Sequence, residues 1–257
     1  MNPPDHRIHR EETGPEDAPV VVLIHGSLDR AAGMARLARQ LQSRFRVVRY
    51  DRRGYGRSHP HDGPFTVGDQ VEDLAGVLGG RRAVLVGHSY GGNVAIAASI
   101  AMPAQVSAVS VYETPLSWMP WYPGTTAGAA SVAATAEDAA EAFMKRLIGS
   151  EAWEALPKRT RDARRQEGPA LQGELGALRL SAPWHVGDIS VPLLCGHGSE
   201  GLDHHKKGME WLADNAARGR LVRLDGAGHG APNSDPVMFA EKLVLAQFDT
   251  TDGISTS

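Results

Sequence analysis

Residues 83–92 read Ala-Val-Leu-Val-Gly-His-Ser-Tyr-Gly-Gly, and this stretch decides the predicted fold. Its first half is a short apolar run, which is typical of a buried parallel strand. Its second half holds the pattern Gly87-x-Ser89-x-Gly91 and opens a segment, residues 90–101, whose alanines would let a helix pack close to a sheet. A serine at the sharp turn between such elements has a strained backbone, and glycines without a Cβ leave that turn unobstructed. The stretch therefore predicts a strand, a tight turn that exposes the Ser89 hydroxyl, and a helix.

A histidine near the end of the chain lies where a base could reach that serine. Gly226-Ala-Gly-His229-Gly230 follows residues 220–224, which read as a strand, and precedes a predicted helix over residues 234–248. A histidine on a glycine-bracketed loop after the last strand can swing over the serine and accept its proton, because imidazole titrates near neutrality. We therefore predict that His229 is the general base.

Two backbone N–H groups are candidates for stabilising a developing oxyanion. The predicted strand over residues 20–24 leads into His25-Gly26-Ser27, a tight loop that can aim the N–H of Ser27 at the reacting centre. The N–H of Tyr90, directly after the predicted nucleophile, would lie alongside it. His25 and His88 flank the site, and we interpret both as structural.

From its first third to its last, the chain resembles the α/β-hydrolases. The G-x-S-x-G turn is the nucleophile elbow of that family. Asp51-Arg-Arg-Gly-Tyr-Gly-Arg-Ser58 resembles the D-x-R-G-x-G-x-S loop that commonly follows the next strand in these enzymes. The resemblance covers nearly all of the chain except residues 115–188, and it implies a serine nucleophile with no metal and no cofactor. Serine at the elbow disfavours the dehalogenase and epoxide-hydrolase branches, which use aspartate there.

Apolar runs that alternate with helical patterns predict the architecture. The predicted strands are residues 20–24, 45–50, 83–87, 106–112, 191–195 and 220–224, with a possible edge strand within residues 7–13. The predicted helices are residues 30–43, 67–79, 90–101, 204–217 and 234–248. The fold class is therefore α/β, a mostly parallel sheet flanked by helices, with its core formed by residues 1–114 and 189–257. The resemblance implies that residues 115–188 are a helical lid inserted after the sixth strand.

The acid that would orient the predicted base has three candidates. The family usually places this acid after the seventh strand, often at the end of a G-x-x-D pattern, but the stretch here is Gly198-Ser-Glu-Gly201. Glu200 and Asp203 lie nearby, each displaced from the expected position. Glu113 ends an apolar run at the carboxyl end of the strand next to the serine's, which is the alternative acid position in a minority of the family. We predict Glu113, with Glu200 and Asp203 as alternatives.

The insertion is rich in aromatic residues near its start. Trp118, Trp121 and Tyr122 either form its core or line a pocket for the acyl group, and the sequence leaves both interpretations open. We treat them as candidate substrate-binding residues, because ligand pockets have mostly apolar walls. The run of residues 158–165 is highly charged, and charge runs usually face water. We therefore predict that it is the solvated outer face of a helix.

Composition limits the classes of partner. The chain has 257 residues, of which 42% are hydrophobic and 22% charged, as in one soluble domain with an insertion. Its formal net charge of −3 argues against nucleic-acid binding. No apolar run is long enough to span a membrane, and we do not expect the polar N-terminus to be a signal peptide. We expect a cytoplasmic protein that acts on a small molecule, and the oligomeric state stays open.

Several residues that could bind metal or react are given structural interpretations. The single cysteine, Cys195, is expected to be a buried strand residue. His59-Pro-His-Asp62 and Asp203-His-His205 group histidine with aspartate, but neither has the spacing of a metal cage. We therefore predict solvated side chains and no metal site in either group.

The leading functional hypothesis is a serine hydrolase that cleaves a carboxylic ester of a small-to-medium apolar substrate through an acyl-enzyme. Two alternatives use the same residues: a cofactor-free perhydrolase, and a carbon–carbon bond hydrolase acting on dienoic ring-cleavage products. A third alternative is a ligand receptor that kept the fold and lost turnover. Fold alone does not choose among them.

Overall fold

The computed structural model describes residues 8–123 and 135–249, whose strands form one seven-stranded sheet. The strands are β1 Arg10–Thr13, β2 Val20–Ile24, β3 Arg46–Tyr50, β4 Ala83–His88, β5 Val106–Tyr112, β6 Leu193–Gly198 and β7 Gly219–Leu224. Their order across the sheet is β1-β3-β2-β4-β5-β6-β7. β1 pairs antiparallel with β3 at the edge, and every other pair is parallel. The predicted mostly parallel α/β sheet is therefore confirmed.

Helices connect most of these strands. The α-helices are α1 Ala35–Leu41, α2 Val67–Leu78, α3 Tyr90–Ala101, α4 Ala136–Ile148, α5 Ser150–Ala155, α6 Lys158–Gln166, α7 Gly168–Leu180, α8 Asp203–Asn215, α9 Ala231–Ser234, α10 Pro236–Phe239 and α11 Ala246–Asp249. Three 3₁₀ turns span Ala31–Met34, Gly56–Ser58 and Val186–Asp188, and a π-helical segment spans Ala240–Leu245. None of the helices in the described ranges has the length and apolar character needed to cross a membrane.

The C-terminal helix largely agrees with the prediction. A helix was expected over residues 234–248, and the described chain is helical without a gap from Pro236 to Asp249, through α10, the π-helical segment and α11, while α9 ends at Ser234. Pro236 begins α10, and a proline has no N–H to donate and clashes with the preceding turn of a helix. The helix that starts at α9 therefore ends at Ser234.

Both faces of the sheet are buried at its central strands. Successive side chains of a strand point to opposite faces, so Val22 and Ile24 of β2 belong to one apolar cluster while Val21 and Leu23 belong to the other. All four side chains are completely buried. Burial on both faces explains why the strands read as continuous apolar runs rather than as alternating patterns.

The single cysteine lies in this core as predicted. Cys195 is in β6 and is buried. Burial raises the pKa of its thiol far above the ordinary value, because the thiolate would lose its hydration. The side chain therefore serves as a small apolar residue of the strand.

The region between β5 and β6 is helical, as the sequence predicts. It holds α4 to α7, and we call residues 115–188 the insertion. Counted along the described chain, the insertion follows the fifth strand rather than the sixth, because a single strand, β1, precedes β2. α4 begins at an N-cap, where the Thr135 side chain accepts the backbone N–H of Asp138 at 3.1 Å.

A buried ion pair joins the insertion to the sheet. Nη1 of Arg52, which lies just after β3, donates to Oε2 of Glu174 in α7 at 2.7 Å, and the two side chains are 0% and 1% exposed. The Tyr55 hydroxyl donates to the other oxygen of Glu174 at 2.6 Å. Buried charges are tolerated when hydrogen bonds replace the lost water. Glu174 has such a bond on each oxygen.

A second charged contact corrects the prediction for the charged run. No residue of α6 is buried, as expected for a solvated face. Arg164, however, turns toward the core, where its Nη1 donates to the carbonyl oxygen of Leu28 at 2.6 Å. Beside it, Arg30 donates to the buried Glu167 carboxylate at 2.8 Å. The prediction of a fully solvated run is therefore wrong for Arg164, because this helix lies against the loop after β2.

We expect Glu174→Leu to lower the free energy of unfolding by about 3–5 kcal/mol, because it leaves the Arg52 guanidinium buried without its carboxylate. Urea denaturation followed by circular dichroism measures this change. The double variant Arg52→Met, Glu174→Leu should recover part of the loss, since it removes the unpaired charge while Tyr55 still lacks its acceptor.

The matched control for this experiment is the pair of Lys158 and Asp162, whose charged groups are 2.7 Å apart on an exposed surface. Asp162→Asn should leave the free energy of unfolding nearly unchanged, because exposed pairs are screened by water. Equal losses for Asp162→Asn and Glu174→Leu would contradict the importance of the buried pair.

Candidate active site

Ser89 lies in the sharp turn that the sequence predicts between β4 and α3. Its backbone is in the left-handed region, with φ 52° and ψ −125°, a conformation that costs a non-glycine residue about 1–3 kcal/mol. The neighbouring glycines are required by close contacts. A Cβ on Gly87 would lie 2.5 Å from the Cα of Gly92, and a Cβ on Gly91 would lie 2.3 Å from the carbonyl oxygen of Ile24. The chain can therefore make this turn only with glycine at both positions.

The loop after β2 runs against Ser89. A Cβ on Gly26 would lie 2.9 Å from the Cβ of Ser89 and 3.4 Å from its Oγ, and Ser27 lines the same pocket as Ser89. Tyr90 is the first residue of α3, so its N–H has no carbonyl partner within the helix. Both predicted oxyanion donors thus belong to segments that adjoin the serine.

Charged side chains brace this loop from below. The backbone N–H of Arg52 donates to Nε2 of His25, and Nε of Arg52 donates to the His25 carbonyl oxygen, both at 2.9 Å. Arg164 binds the Leu28 carbonyl oxygen three residues further along, as described above, and Leu28 has a positive φ of 52°. Burial lowers the pKa of His25 well below its ordinary value, so the ring is neutral. The structural interpretation of His25 fits these contacts.

The structure brings Glu113 to His229. Nδ1 of His229 donates to Oε2 of Glu113 at 2.7 Å, and the backbone N–H of Gly198 donates to Oε1 at 3.0 Å. Glu113 is completely buried at the end of β5. Gly201, the residue at the position where the family usually has its acid, packs against this carboxylate, and a Cβ there would lie 2.1 Å from Oε1.

The two alternative acids are not near the base. Asp203 is fully exposed and lies 3.6 Å from Lys206. Glu200 is also exposed, although its neighbours in the chain pass close to Glu113. Only Glu113, among the three candidates, has a hydrogen bond to His229.

The ionisation of Glu113 is set by opposing effects. Burial by itself raises the pKa of a carboxyl group, because the anion loses its hydration. Hydrogen bonds from His205 and His229, with a smaller contribution from Gly198, outweigh burial and hold the pKa of Glu113 well below its usual range. The group is therefore a carboxylate at neutral pH, and it can only accept hydrogen bonds.

A row of histidines surrounds the predicted base. The ring of His229 lies between those of His88 and His205, with centroid distances of 4.7 and 4.8 Å, and its plane is within 20° of that of His205. Nε2 of His88 donates to the backbone carbonyl oxygen of His229 at 2.8 Å. His205 donates from Nδ1 to Oε2 of Glu113 at 3.2 Å, the same oxygen that His229 uses.

His205 was missed by the sequence analysis, which predicted a solvated side chain. It is 9% exposed and lines the pocket. Its position could have indicated a site residue. His205 lies in the first turn of the helix that follows β6, and the carboxyl ends of parallel strands share one edge of the sheet. Its proximity to Glu113, 92 residues away, depends on how α8 packs.

The tautomers of these rings follow from their partners. Burial lowers the pKa of His88 to about 3 and also lowers the pKa of His205, although Glu113 partly offsets the effect on His205. Both are therefore neutral near pH 7. A neutral ring that faces a carboxylate carries its proton on the facing nitrogen. In the tautomer with the proton on Nδ1, His229 has an accepting Nε2, as a base for Ser89 requires.

Ser89 and His229 open onto one cavity of about 240 Å³. Its other lining residues are Ser27, Pro115, Ser117, Tyr122, Phe143, Arg146, Leu147, Leu175, Leu202, His204 and His205. Among the described contacts, Ser89 and His229 share no hydrogen bond. Such bonds are often long before substrate binds.

Of the three aromatic candidates, one lines the cavity. Tyr122 does so and packs edge-on against His204 at 4.8 Å between ring centroids. Trp118 instead packs against Trp184, with ring centroids 5.0 Å apart. The ring centroid of Trp121 lies 4.8 Å from Nζ of Lys207. Neither tryptophan is among the residues that line the cavity, and both pack against the apolar core.

Comparison with known families and structures gives a consistent result. A sequence model described as "Alpha/beta hydrolase family" matches residues 21–242. A hydrolase from Pseudomonas aeruginosa PA01 superposes with a TM-score of 0.75 at 23% identity, covering 93% of each chain. An alpha/beta hydrolase from Sphaerobacter thermophilus DSM 20745 superposes with a TM-score of 0.67 at 26% identity, covering 94% of this chain and 96% of that chain.

Curated relatives match a shorter part of the chain. Lipase LipV of Mycobacterium tuberculosis is 36% identical over 105 residues, which are 40% of each chain. The bifunctional esterase/perhydrolase DCH of Acinetobacter calcoaceticus is 40% identical over 89 residues, 33% of this chain and 32% of that protein. Epoxide hydrolase 4 of Mus musculus is 28% identical over 114 residues, 42% of this chain and 32% of that protein. The chain thus spans less than half the length of these relatives.

We expect Glu113→Gln to reduce turnover of p-nitrophenyl acetate by about 10⁴-fold, the loss that follows when a triad acid becomes an amide. The amide keeps the size of the side chain but can donate toward Nδ1 of His229, which favours the wrong tautomer of the ring.

Glu200→Gln and Asp203→Asn are the matched controls, because both carboxylates are exposed. Each should keep near wild-type turnover. If Glu113→Gln also keeps it while one of the controls loses orders of magnitude, the acid has been assigned to the wrong residue.

Proposed function

The chain belongs to the alpha/beta hydrolase family, and from that membership we propose that it is a serine hydrolase that cleaves carboxylic esters through an acyl-enzyme. The observation that carries the proposal is the Glu113–His229 hydrogen bond of 2.7 Å, made beside a serine in an elbow. A buried carboxylate, an imidazole oriented by it and an exposed hydroxyl are the three parts of a catalytic triad.

In the proposed acylation step, the Ser89 oxygen attacks the ester carbonyl carbon while Nε2 of His229 takes the serine proton. Glu113 stays ionised and stabilises the imidazolium through Nδ1. The N–H groups of Ser27 and Tyr90 hold the negative charge on the carbonyl oxygen, and one such donor is commonly worth about 10²–10³ in turnover. The C–O bond of the ester then breaks, and His229 returns the proton to the departing alcohol.

Deacylation repeats these steps with water. His229 takes a proton from a water molecule whose oxygen attacks the acyl carbon, and the bond to Ser89 then breaks as the serine regains its proton. The products are a carboxylic acid, an alcohol and the original enzyme. No metal or cofactor is required for this sequence.

The cavity supports a substrate of small-to-medium size. Its volume of about 240 Å³ lies slightly below the usual range for drug-sized ligands. Phe143, Leu147 and Leu175 of the insertion give it an apolar wall, and Ser89 and His229 contribute polar groups. An acyl chain against this wall would bury its methylene groups while its carbonyl group faces the serine.

A perhydrolase is the second candidate. Sequence similarity to the bifunctional esterase/perhydrolase favours it, since hydrogen peroxide can replace water as the attacker of the same acyl-enzyme and release a peracid. The similarity to epoxide hydrolase 4 does not carry that chemistry over, because Ser89 occupies the position where the epoxide hydrolases of this family use aspartate.

We expect a fluorophosphonate to modify Ser89 and no other residue, because its hydroxyl alone combines the elbow with a nearby base. Ser89→Ala should abolish ester turnover and labelling while leaving the melting temperature nearly unchanged. Peptide mass spectrometry locates the modification. Ser117 is a second serine of the cavity, so Ser117→Ala is the matched control, and this variant should still be labelled at Ser89. Labelling at another residue with Ser89 unmodified would refute Ser89 as the nucleophile.

We expect Phe143→Ala to shift substrate choice toward longer acyl chains, because it removes part of the apolar wall. The ratio of kcat/KM for p-nitrophenyl octanoate over butyrate should rise by at least about tenfold, the smaller end of the discrimination that a methylene gives. Trp121→Ala is the control, since Trp121 lies outside the cavity. A profile that changes for Trp121→Ala and not for Phe143→Ala would refute this wall.

A further inference from the structure

One oxygen of Glu113 is shared by two imidazole rings. Oε2 accepts from Nδ1 of His229 at 2.7 Å and from Nδ1 of His205 at 3.2 Å. One ligand atom from each of Glu113, His205 and His229 lies within 4.8 Å of the other two. A triad needs one histidine on its acid, so the second ring is not explained by the proposed reaction.

The three side chains match the ligand set of a zinc site. Two histidine nitrogens with one carboxylate oxygen form a common set of catalytic zinc ligands, and they bind at about 2.0–2.2 Å in tetrahedral geometry. Ligand atoms in such a tetrahedron are about 3.3 Å apart, and Oε2 of Glu113 lies 2.7 and 3.2 Å from the two histidine nitrogens. The Gly198 N–H holds the other carboxylate oxygen at 3.0 Å, and such outer contacts orient metal ligands.

We propose that Glu113, His205 and His229 form a binding site for Zn²⁺ and that zinc bound there inhibits the enzyme. The spacing of Asp203-His-His205 along the chain fits no metal cage, so the sequence by itself predicts no metal there. The folded chain supplies the other two ligands from β5 and from the loop after β7. Both histidines line the cavity, and a water molecule would supply the fourth ligand.

The inhibition follows from the tautomer of His229, and this part rests on the proposed function. A metal on Nδ1 requires that nitrogen to be unprotonated, so the neutral ring moves its proton to Nε2. His205 changes in the same way, Glu113 stays a carboxylate, and no proton is gained or lost overall. With Nε2 protonated, His229 can no longer accept the proton of Ser89, and the metal also takes the oxygen that orients the ring.

Direct binding tests the site without any enzyme assay. The full chain, prepared without a polyhistidine tag and freed of metal with EDTA, is titrated with zinc chloride against a chromophoric chelator at pH 7.5. We expect one zinc ion per chain. His205→Asn should weaken this binding by at least about 100-fold, the upper end of what losing an outer-shell partner costs, while its amide can still donate to Glu113.

The matched control is His204→Phe, which removes the adjacent histidine of the same cavity. It should bind zinc as the wild type does. Circular dichroism verifies that the variants are folded. If His205→Asn does not fold, Glu113→Gln serves as the second test variant. Equal affinity of the wild type and His205→Asn, or absence of stoichiometric binding to the wild type, overturns the proposal.

Inhibition is tested on hydrolysis of p-nitrophenyl acetate. Zinc should inhibit the wild type and His204→Phe, EDTA should restore activity, and residual turnover of His205→Asn should resist zinc. Magnesium should not inhibit, because it prefers oxygen ligands. Zinc that binds through His205 without slowing the wild type overturns the inhibitory role. A wild type without ester turnover refutes the proposed function instead, and the binding titration still decides the site.

Discussion

The left-handed backbone of Ser89 is the constraint on which the rest of the site depends. To turn from β4 into α3 at one residue, the chain must let three backbone segments meet, and Gly91 touches the end of β2 while Gly26 touches Ser89. This crowding brings the β2 loop beside the serine, so that Ser27 adjoins it. It also puts the start of α3, with its unpaired N–H groups, directly after the serine. One turn thereby determines which groups can surround the serine oxygen.

Two buried carboxylates, Glu113 and Glu174, fix the positions of the elements around that turn. Glu113 joins the ends of β5 and β6 to the loop that carries His229, and Glu174 joins the insertion to the segment after β3. Each accepts hydrogen bonds on both of its oxygens, and these bonds replace the water that is lost on burial. The two carboxylates differ in how close they lie to the cavity. Glu113 lies behind two rings that face the cavity, whereas Glu174 is enclosed on all sides.

Much of the fold and part of the site could be predicted from the sequence, because local patterns carry them. The buried strands, the glycines around Ser89 and the carboxylate at the end of β5 are all readable within a few residues. His205 could not be assigned, since its partner Glu113 is 92 positions away and the contact depends on how α8 packs. Arg164 was read as solvated for the same reason. Trp121 shows the limit for aromatic residues, whose spacing does not reveal which wall they form.

The charged contacts beneath the insertion have a consequence for how this protein can diversify. An insertion tied to its host by apolar packing could be exchanged by recombination for another of similar size. Here Arg52 and Arg30 of the sheet side have partners in Glu174 and Glu167 of the insertion. A foreign insertion without matching carboxylates would leave both guanidinium groups without their ionic partners. One of them, that of Arg52, supports the loop that holds Ser27. New specificities are therefore more accessible by substitutions along the cavity wall than by replacement of the whole segment.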